Sequence, residues 1–170
     1  MTSNNIDIVK GDITSLEVDA IVNAANPSLM GGGGVDHAIH KAAGPELKEA
    51  CRPLRVCHTG FAKITPGFNL KAKYVIHAVG PVWNNGTKAE DQLLASAYKT
   101  CLEIAIEKGL MSIAFPSIST GAYRFPFEQA TRIAKETITN FLTTNDNSLK
   151  VIIVAFDEKD FSRMKKIYNE

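Results

Sequence analysis

The sequence predicts an α/β fold, a three-layer α/β/α sandwich around a mixed central sheet. Short, continuous apolar runs recur along the chain, as expected of strands covered on both faces. Longer segments with helical apolar spacing lie between them. A chain of 170 residues that is 45% hydrophobic suits one globular domain, residues 1–170, with a proper core.

The first strand signal comes from Ile6, Ile8 and Ile13, which flank the Gly11-Asp12 step. Asp19 to Asn23 is the second, an apolar run soon closed by Asn26-Pro27. Val35 to Ala43 reads as a helix, and a shorter helix occupies Pro45 to Leu54. Ala62 to Pro66 is a weaker extended piece, whereas Tyr74 to Val79 is strongly β-branched. Leu93, Leu94, Ala97, Cys101, Ile104 and Ala105 repeat at helical spacing, and Gly109 ends that helix. Met111 to Pro116 is a strand. Phe127, Ala130, Ala134, Ile138 and Phe141 then mark an amphipathic helix, with Pro126 suited to its first turn. Val151 to Phe156 is the last strand, and a final helix follows Asp157. In such sheets ligands bind at the carboxyl ends of strands, where the loops after Asn23 and Pro116 fall.

The first of these loops carries four consecutive glycines, Gly31 to Gly34, leading into the helix that begins near Val35. Glycine runs persist where backbone needs φ > 0 or must be approached closely. Free N–H groups at a helix N-terminus favour an anion such as a phosphate. The loop is not a Walker A loop, because no Lys-Ser/Thr pair follows the glycines. It is also not a dinucleotide fingerprint: Asp36 stands where that motif needs Gly or Ala, and no ribose-binding acid follows. A second loop, Ser117 to Tyr123, is built of small hydroxyl residues and a glycine, with Tyr123 offering a ring face. Two amide-lined loops facing each other suit a diphosphate. Asp12 is expected as a buried carboxylate able to accept from an exocyclic amine, and Phe156 as a ring that stacks on a base.

Composition narrows the function classes. Net charge is +1, with Lys and Arg spread evenly, so a nucleic-acid surface driven by phosphate neutralisation is not expected. Cys51, Cys57 and Cys101 form no C-x-x-C pair; without a signal peptide or membrane run they read as reduced thiols in the cytoplasm. Nothing demands more than a monomer.

Four motifs together resemble a macrodomain over nearly the whole chain: GDIT at Gly11–Thr14, NAANPSLMGGGGVD at Asn23–Asp36, HAVGPVW at His77–Trp83 and PSISTGAY at Pro116–Tyr123. The glycine loop is similar to that of the MacroD-type hydrolase branch. The resemblance implies an ADP-ribose pocket in which Asp12 recognises the adenine amine, with Ile13 beside it, and Phe156 packs on the base. It implies that Gly31, Gly32, Gly33, Gly34 and Val35, together with Ser117, Ile118, Ser119, Thr120, Gly121 and Ala122, cradle the diphosphate. Tyr123 then borders the distal ribose, where Asn26 and Asp36 match a catalytic pair. The implied activity is hydrolysis of an ester to ADP-ribose, on an Asp or Glu side chain of an ADP-ribosylated protein or in O-acetyl-ADP-ribose, with no cofactor or metal. A reader module that binds ADP-ribose without turnover is the alternative. Two positions depart from the family pattern: His37 and Arg124 stand where glycine is usual.

Each assignment has a plainer reading. Asp36 is also suited to be a helix N-cap, Asn26 to form a turn before Pro27, and Asp12 to be a turn residue. Phe156 reads equally as core, and Tyr123 as loop packing. His37 and His40, at i and i+3, lack a third metal ligand at defined spacing. His77 reads as a satisfied core histidine, Cys57-His58 as an unactivated thiol, and Trp83 as a loop anchor.

Overall fold

The computed structural model describes residues 5–145 and 148–170, and within them six strands form one sheet. They are β1 (Ile6–Lys10), β2 (Ala20–Ala24), β3 (Ala62–Pro66), β4 (Tyr74–Ala78), β5 (Ser112–Phe115) and β6 (Lys150–Ala155). Their order across the sheet is β1-β6-β5-β2-β4-β3. Neighbours are parallel except β3, which runs antiparallel to β4, so the sheet is mixed as the sequence implies.

Alternation along the strands explains both covering layers. Ala20 and Val22 face one side, with Ile76, Ile113, Phe115, Val151 and Ile153. There they meet α3 (Glu90–Glu107), α4 (Phe127–Thr144) and the end of α5 (Glu158–Tyr168) through Leu94, Cys101, Ala130, Ile138 and Met164. Ile21, Val75, Ala114 and Val154 face the other side, where α1 (Gly34–Ala43) and α2 (Pro45–Cys51) supply Ile39, Ala43 and Leu47.

Several boundaries differ from expectation for local reasons. Ile13 is not part of the first strand; beyond Lys10 the chain enters a 3₁₀ turn, Ile13–Ser15, whose N-cap is Asp12. The helix expected over 45–54 stops at Cys51 and tightens into a 3₁₀ turn, Arg52–Leu54, with Pro53 in it. Gly44 (φ 92°) separates α1 from α2. Pro126 stands at the N-cap of α4, just outside its first turn. α3 begins at Glu90, ahead of its apolar period, because the buried Glu90 carboxylate accepts the N–H groups of Asn84, Gly86 and Lys88.

β1, β6, β5 and β2 are consecutive in the sheet and parallel. Their carboxyl ends therefore emerge side by side, and the loops that follow them rim a single depression.

Candidate functional site

That depression is a cavity of about 700 Å³. Asp12 and Ile13 line it from beyond β1, Asn26, Gly32, Gly33, Gly34, Val35 and Asp36 from beyond β2, and Ser117 to Tyr123 from beyond β5; Phe156 stands at the end of β6. Of the residues the sequence assigns to the ADP-ribose pocket, Gly31 alone does not reach the wall. Its φ of 97° turns the chain, and its carbonyl accepts the Asn26 Nδ2–H at 2.9 Å. Further lining comes from residues the sequence does not single out for the site, among them Ala24, Ala25, Gly80, Val154, Asp160 and Met164. They are mostly apolar and lie outside the motifs' polar positions, and Asp160 and Met164 come from α5, so no local signal marks them.

Gly33 is the N-cap of α1 and Gly34 its first residue, at φ 60°. A Cβ built on Gly33, Gly34 or Gly121 would meet nothing within 4 Å, so both loops offer bare backbone to the cavity. The first bond into the helix comes from the His37 N–H to Gly33 O, at 3.5 Å. The N–H groups of Gly34, Val35 and Asp36 precede it and have no intrahelical acceptor, which suits them to an anion.

Because Gly33 caps the helix, Asp36 does not, and the N-cap reading of Asp36 is overturned. Asp36 sits in the first turn, 4% exposed, with Oδ1 accepting from Asn23 Nδ2 at 2.9 Å. His40 Nε2 stands 3.3 Å from the same oxygen but out of line for a hydrogen bond. Burial pushes the Asp36 carboxyl above its ordinary value, opposed by the Asn23 bond and by His40 and His37. Burial pushes His40 down, opposed by Asp36. Asp36 Oδ2 lies toward Gly32: a Cβ on Gly32 would come 3.1 Å from it and 3.4 Å from Asn26 Nδ2.

Asn26 does form the expected turn as well as lining the cavity. Its Oδ1 accepts from Ser28 N, Ser28 Oγ and Leu29 N at 3.1, 2.6 and 3.2 Å. With Nδ2 on Gly31 O, the side chain staples both ends of the glycine loop. Asp12 corrects another expectation, since its carboxylate is exposed, not buried. Oδ1 is engaged by Thr14 N and Oγ1 at 2.9 and 2.7 Å, which orients the group at the cavity rim.

In the second loop Ile118 departs from the expected pattern. Its N–H points inward to Tyr98 Oη at 3.2 Å, and its side chain is buried, so its amide is not offered to the cavity. Tyr98 also reaches Pro116 O at 3.4 Å and so ties the loop to α3 at two points. Ser119 adopts φ 68° and is buried against Gly80, where a Cβ would overlap Ser119 Oγ and Ile118 Cγ2. Tyr123 is half-buried in the wall, and its carbonyl accepts from Trp83 N at 2.8 Å. Trp83 packs on Phe125 with ring centroids 4.8 Å apart, the anchoring role expected of it. Phe156 is 84% exposed at the rim, which overturns its reading as core.

The two unusual side chains differ in backbone setting. His37 is exposed on regular helix α1, where any side chain fits. Arg124 is exposed at φ 62°, a left-handed conformation natural to glycine. Cys57 is 1% exposed with its thiol pushed up by burial, so Cys57-His58 lacks the features of an activated nucleophile. Among the described residues no group of three or more His, Cys, Asp or Glu is placed to hold a metal ion, and no helix is long and apolar enough to cross a membrane.

A family model described as Macro domain matches residues 22–134. A macro domain-containing protein of Chlorobaculum tepidum is 56% identical over 161 residues, spanning 95% of this chain and 94% of that protein. An O-acetyl-ADP-ribose deacetylase of Cronobacter sakazakii is 49% identical over 172 residues, spanning 99% of this chain and 96% of that protein. Among solved structures, a mutant of the Oceanobacillus iheyensis macrodomain with ADPR matches at TM-score 0.94 and 44% identity, over 99% of this chain and 96% of the other.

Proposed function

The chain belongs to the Macro domain family, and from that premise we propose that it binds ADP-ribose and hydrolyses esters of its distal ribose. The substrates are O-acetyl-ADP-ribose and proteins mono-ADP-ribosylated on Asp or Glu. The relatives named O-acetyl-ADP-ribose deacetylase support the first of these.

The observation that carries the catalytic reading is the convergence of Asn26 Nδ2 and Asp36 Oδ2 beside bare Gly32, at the cavity wall. The diphosphate lies on the first-turn amides of α1 and on the Ser119–Tyr123 backbone, anchoring the substrate away from the reacting bond. Phe156 and Asp12 hold the adenine end. Asn26 then orients the distal ribose, and Asp36 Oδ2 takes a proton from water as the water oxygen attacks the acyl carbon. The ester C–O bond breaks, the ribose oxygen regains a proton, and the acid leaves. A carboxyl raised by burial is a stronger base than an ordinary aspartate once ionised.

One observation favours the reader alternative. The Asn26 amide is largely committed to its own loop, leaving one N–H for a ligand. Measuring ADP-ribose affinity and release from a mono-ADP-ribosylated glutamate substrate, for wild type and Asp36→Ala, separates the two. Turnover that disappears in Asp36→Ala while affinity persists supports the hydrolase. Equal affinity with no release from either protein supports the reader.

A further inference from the structure

Asp36 ends a chain of buried polar side chains that runs away from the cavity across three adjacent strands. Asn23 on β2 and His77 on β4 are register partners, and both are fully buried. Asn23 Nδ2 has two N–H groups and two acceptors, Asp36 Oδ1 at 2.9 Å and His77 Nδ1 at 3.1 Å. A ring nitrogen that accepts there carries no proton, so the neutral imidazole bears its proton on Nε2. That nitrogen stands 3.0 Å from Oγ1 of Thr65, a buried residue of β3. Burial, with His40 nearby, lowers His77 to about 3, which keeps it neutral. Cys51 Sγ, 3.7 Å from Nε2, is pushed up to about 11 and stays a thiol.

Reversing the Asn23 amide would aim its carbonyl at both the carboxylate and the Nδ1 lone pair. Asn23 Oδ1 is itself buried and has no partner among the described residues, so only the nitrogen side of the amide is held. We infer that His77 is a positioning residue for Asp36, acting through Asn23: with Thr65 fixing its tautomer, it holds Oδ1 inward and leaves Oδ2 to the cavity. The inference rests on the hydrolase reading of Asp36 given above.

The test compares His77→Phe, His77→Asn and Thr65→Val in the full chain. Three quantities are measured: ADP-ribose affinity, the pH profile of O-acetyl-ADP-ribose turnover, and the Asp36 carboxyl titration by ¹³C NMR. Phenylalanine keeps the ring without an acceptor, whereas asparagine restores an acceptor near Nδ1 and loses bulk. A packing role and a positioning role therefore rank these two variants in opposite order. Expected for His77→Phe is unchanged affinity with kcat reduced about tenfold or more. The acid limb and the Asp36 titration should both move up by about one unit, the scale of one lost bond to a carboxylate. His77→Asn should recover most of this, and Thr65→Val should shift the same way by less. The other groups that face Asp36 are His37 and His40 on α1, with Cys51 on α2 acting from farther off; none is altered by these variants.

Wild-type kcat and titration in His77→Phe, or His77→Asn worse than His77→Phe, would overturn the inference. Should His77→Phe not fold, an unchanged titration in Thr65→Val overturns it equally. A wild-type protein with no turnover would instead refute the hydrolase reading, and the Asp36 titration would still decide the role of His77.

Discussion

Asn26 Nδ2 and Asp36 Oδ2 border one small gap beside Gly32, 3.4 and 3.1 Å from where a Cβ would stand. The gap exists because residue 32 has no side chain. Asn26 is held there by the loop it staples, and Asp36 by the first turn of α1 and Asn23.

Gly32→Ala should therefore act on chemistry more than on folding. The added carbon would lie 3.1 Å from Asp36 Oδ2, so the carboxylate must give by a few tenths of an ångström. Turnover should fall about tenfold to a hundredfold with little change in Tm. Gly33→Ala meets nothing within 4 Å and should leave Tm and the Asp36 titration unaltered. Steady-state kinetics beside thermal melts of both variants check this.

Asp36→Asn should abolish hydrolysis and raise stability at neutral pH. The folded-state carboxyl sits above its ordinary value of 3.8, chiefly through burial. The ionised group is thus a cost that is absent below 3.8, grows as pH rises through the interval up to the folded-state value, and is complete above it. Asparagine is nearly isosteric and its oxygen can still accept from Asn23. The variant should melt higher at pH 7 and lose the wild-type decline in stability over that interval, as Tm against pH would reveal. This is the expected trade of stability for activity at a working site.

Tyr98→Phe should loosen the second loop without touching the cavity wall directly. It leaves the Ile118 N–H and Pro116 carbonyl unpaired in buried surroundings, at a cost of about 1–3 kcal/mol. Denaturant unfolding should record that loss, and calorimetry should record weaker ADP-ribose binding.

Phe156→Ala should do the reverse. A ring that is 84% exposed contributes little to folding, so stability should hold. ADP-ribose affinity should drop by about 1–3 kcal/mol, the scale of one base stacked on an aromatic side chain. Ribose 5-phosphate, which has no base, should bind wild type and variant alike.

The strands and both cavity loops were legible in the sequence because apolar runs, glycines and hydroxyl residues carry local signals. The expected runs coincide with the six strands, β2 ending one residue later and β6 beginning one residue earlier, and the two loops emerge from neighbouring parallel strands. What was not legible depended on contacts between distant segments. Asp12 looked suited to burial, yet its exposure follows from the path of the 3₁₀ turn after β1. Ile118 looked like one more amide donor until Tyr98, on another element, took its N–H. Asp36 and Gly33 compete for the N-cap over too short a span for propensity to decide. The Asn23–His77–Thr65 chain lies within strands, and its signal is a polar residue interrupting each apolar run. Only the register of β2 against β4 makes Asn23 and His77 neighbours.

The most direct measurement is acetate release from O-acetyl-ADP-ribose by wild type and Asp36→Asn, run beside calorimetry with ADP-ribose on both. The account predicts comparable ADP-ribose affinity for the two proteins, with steady turnover by wild type and a loss of about a hundredfold or more in the variant. Wild-type protein that binds ADP-ribose but releases no acetate, or a variant that hydrolyses at the wild-type rate, would contradict it.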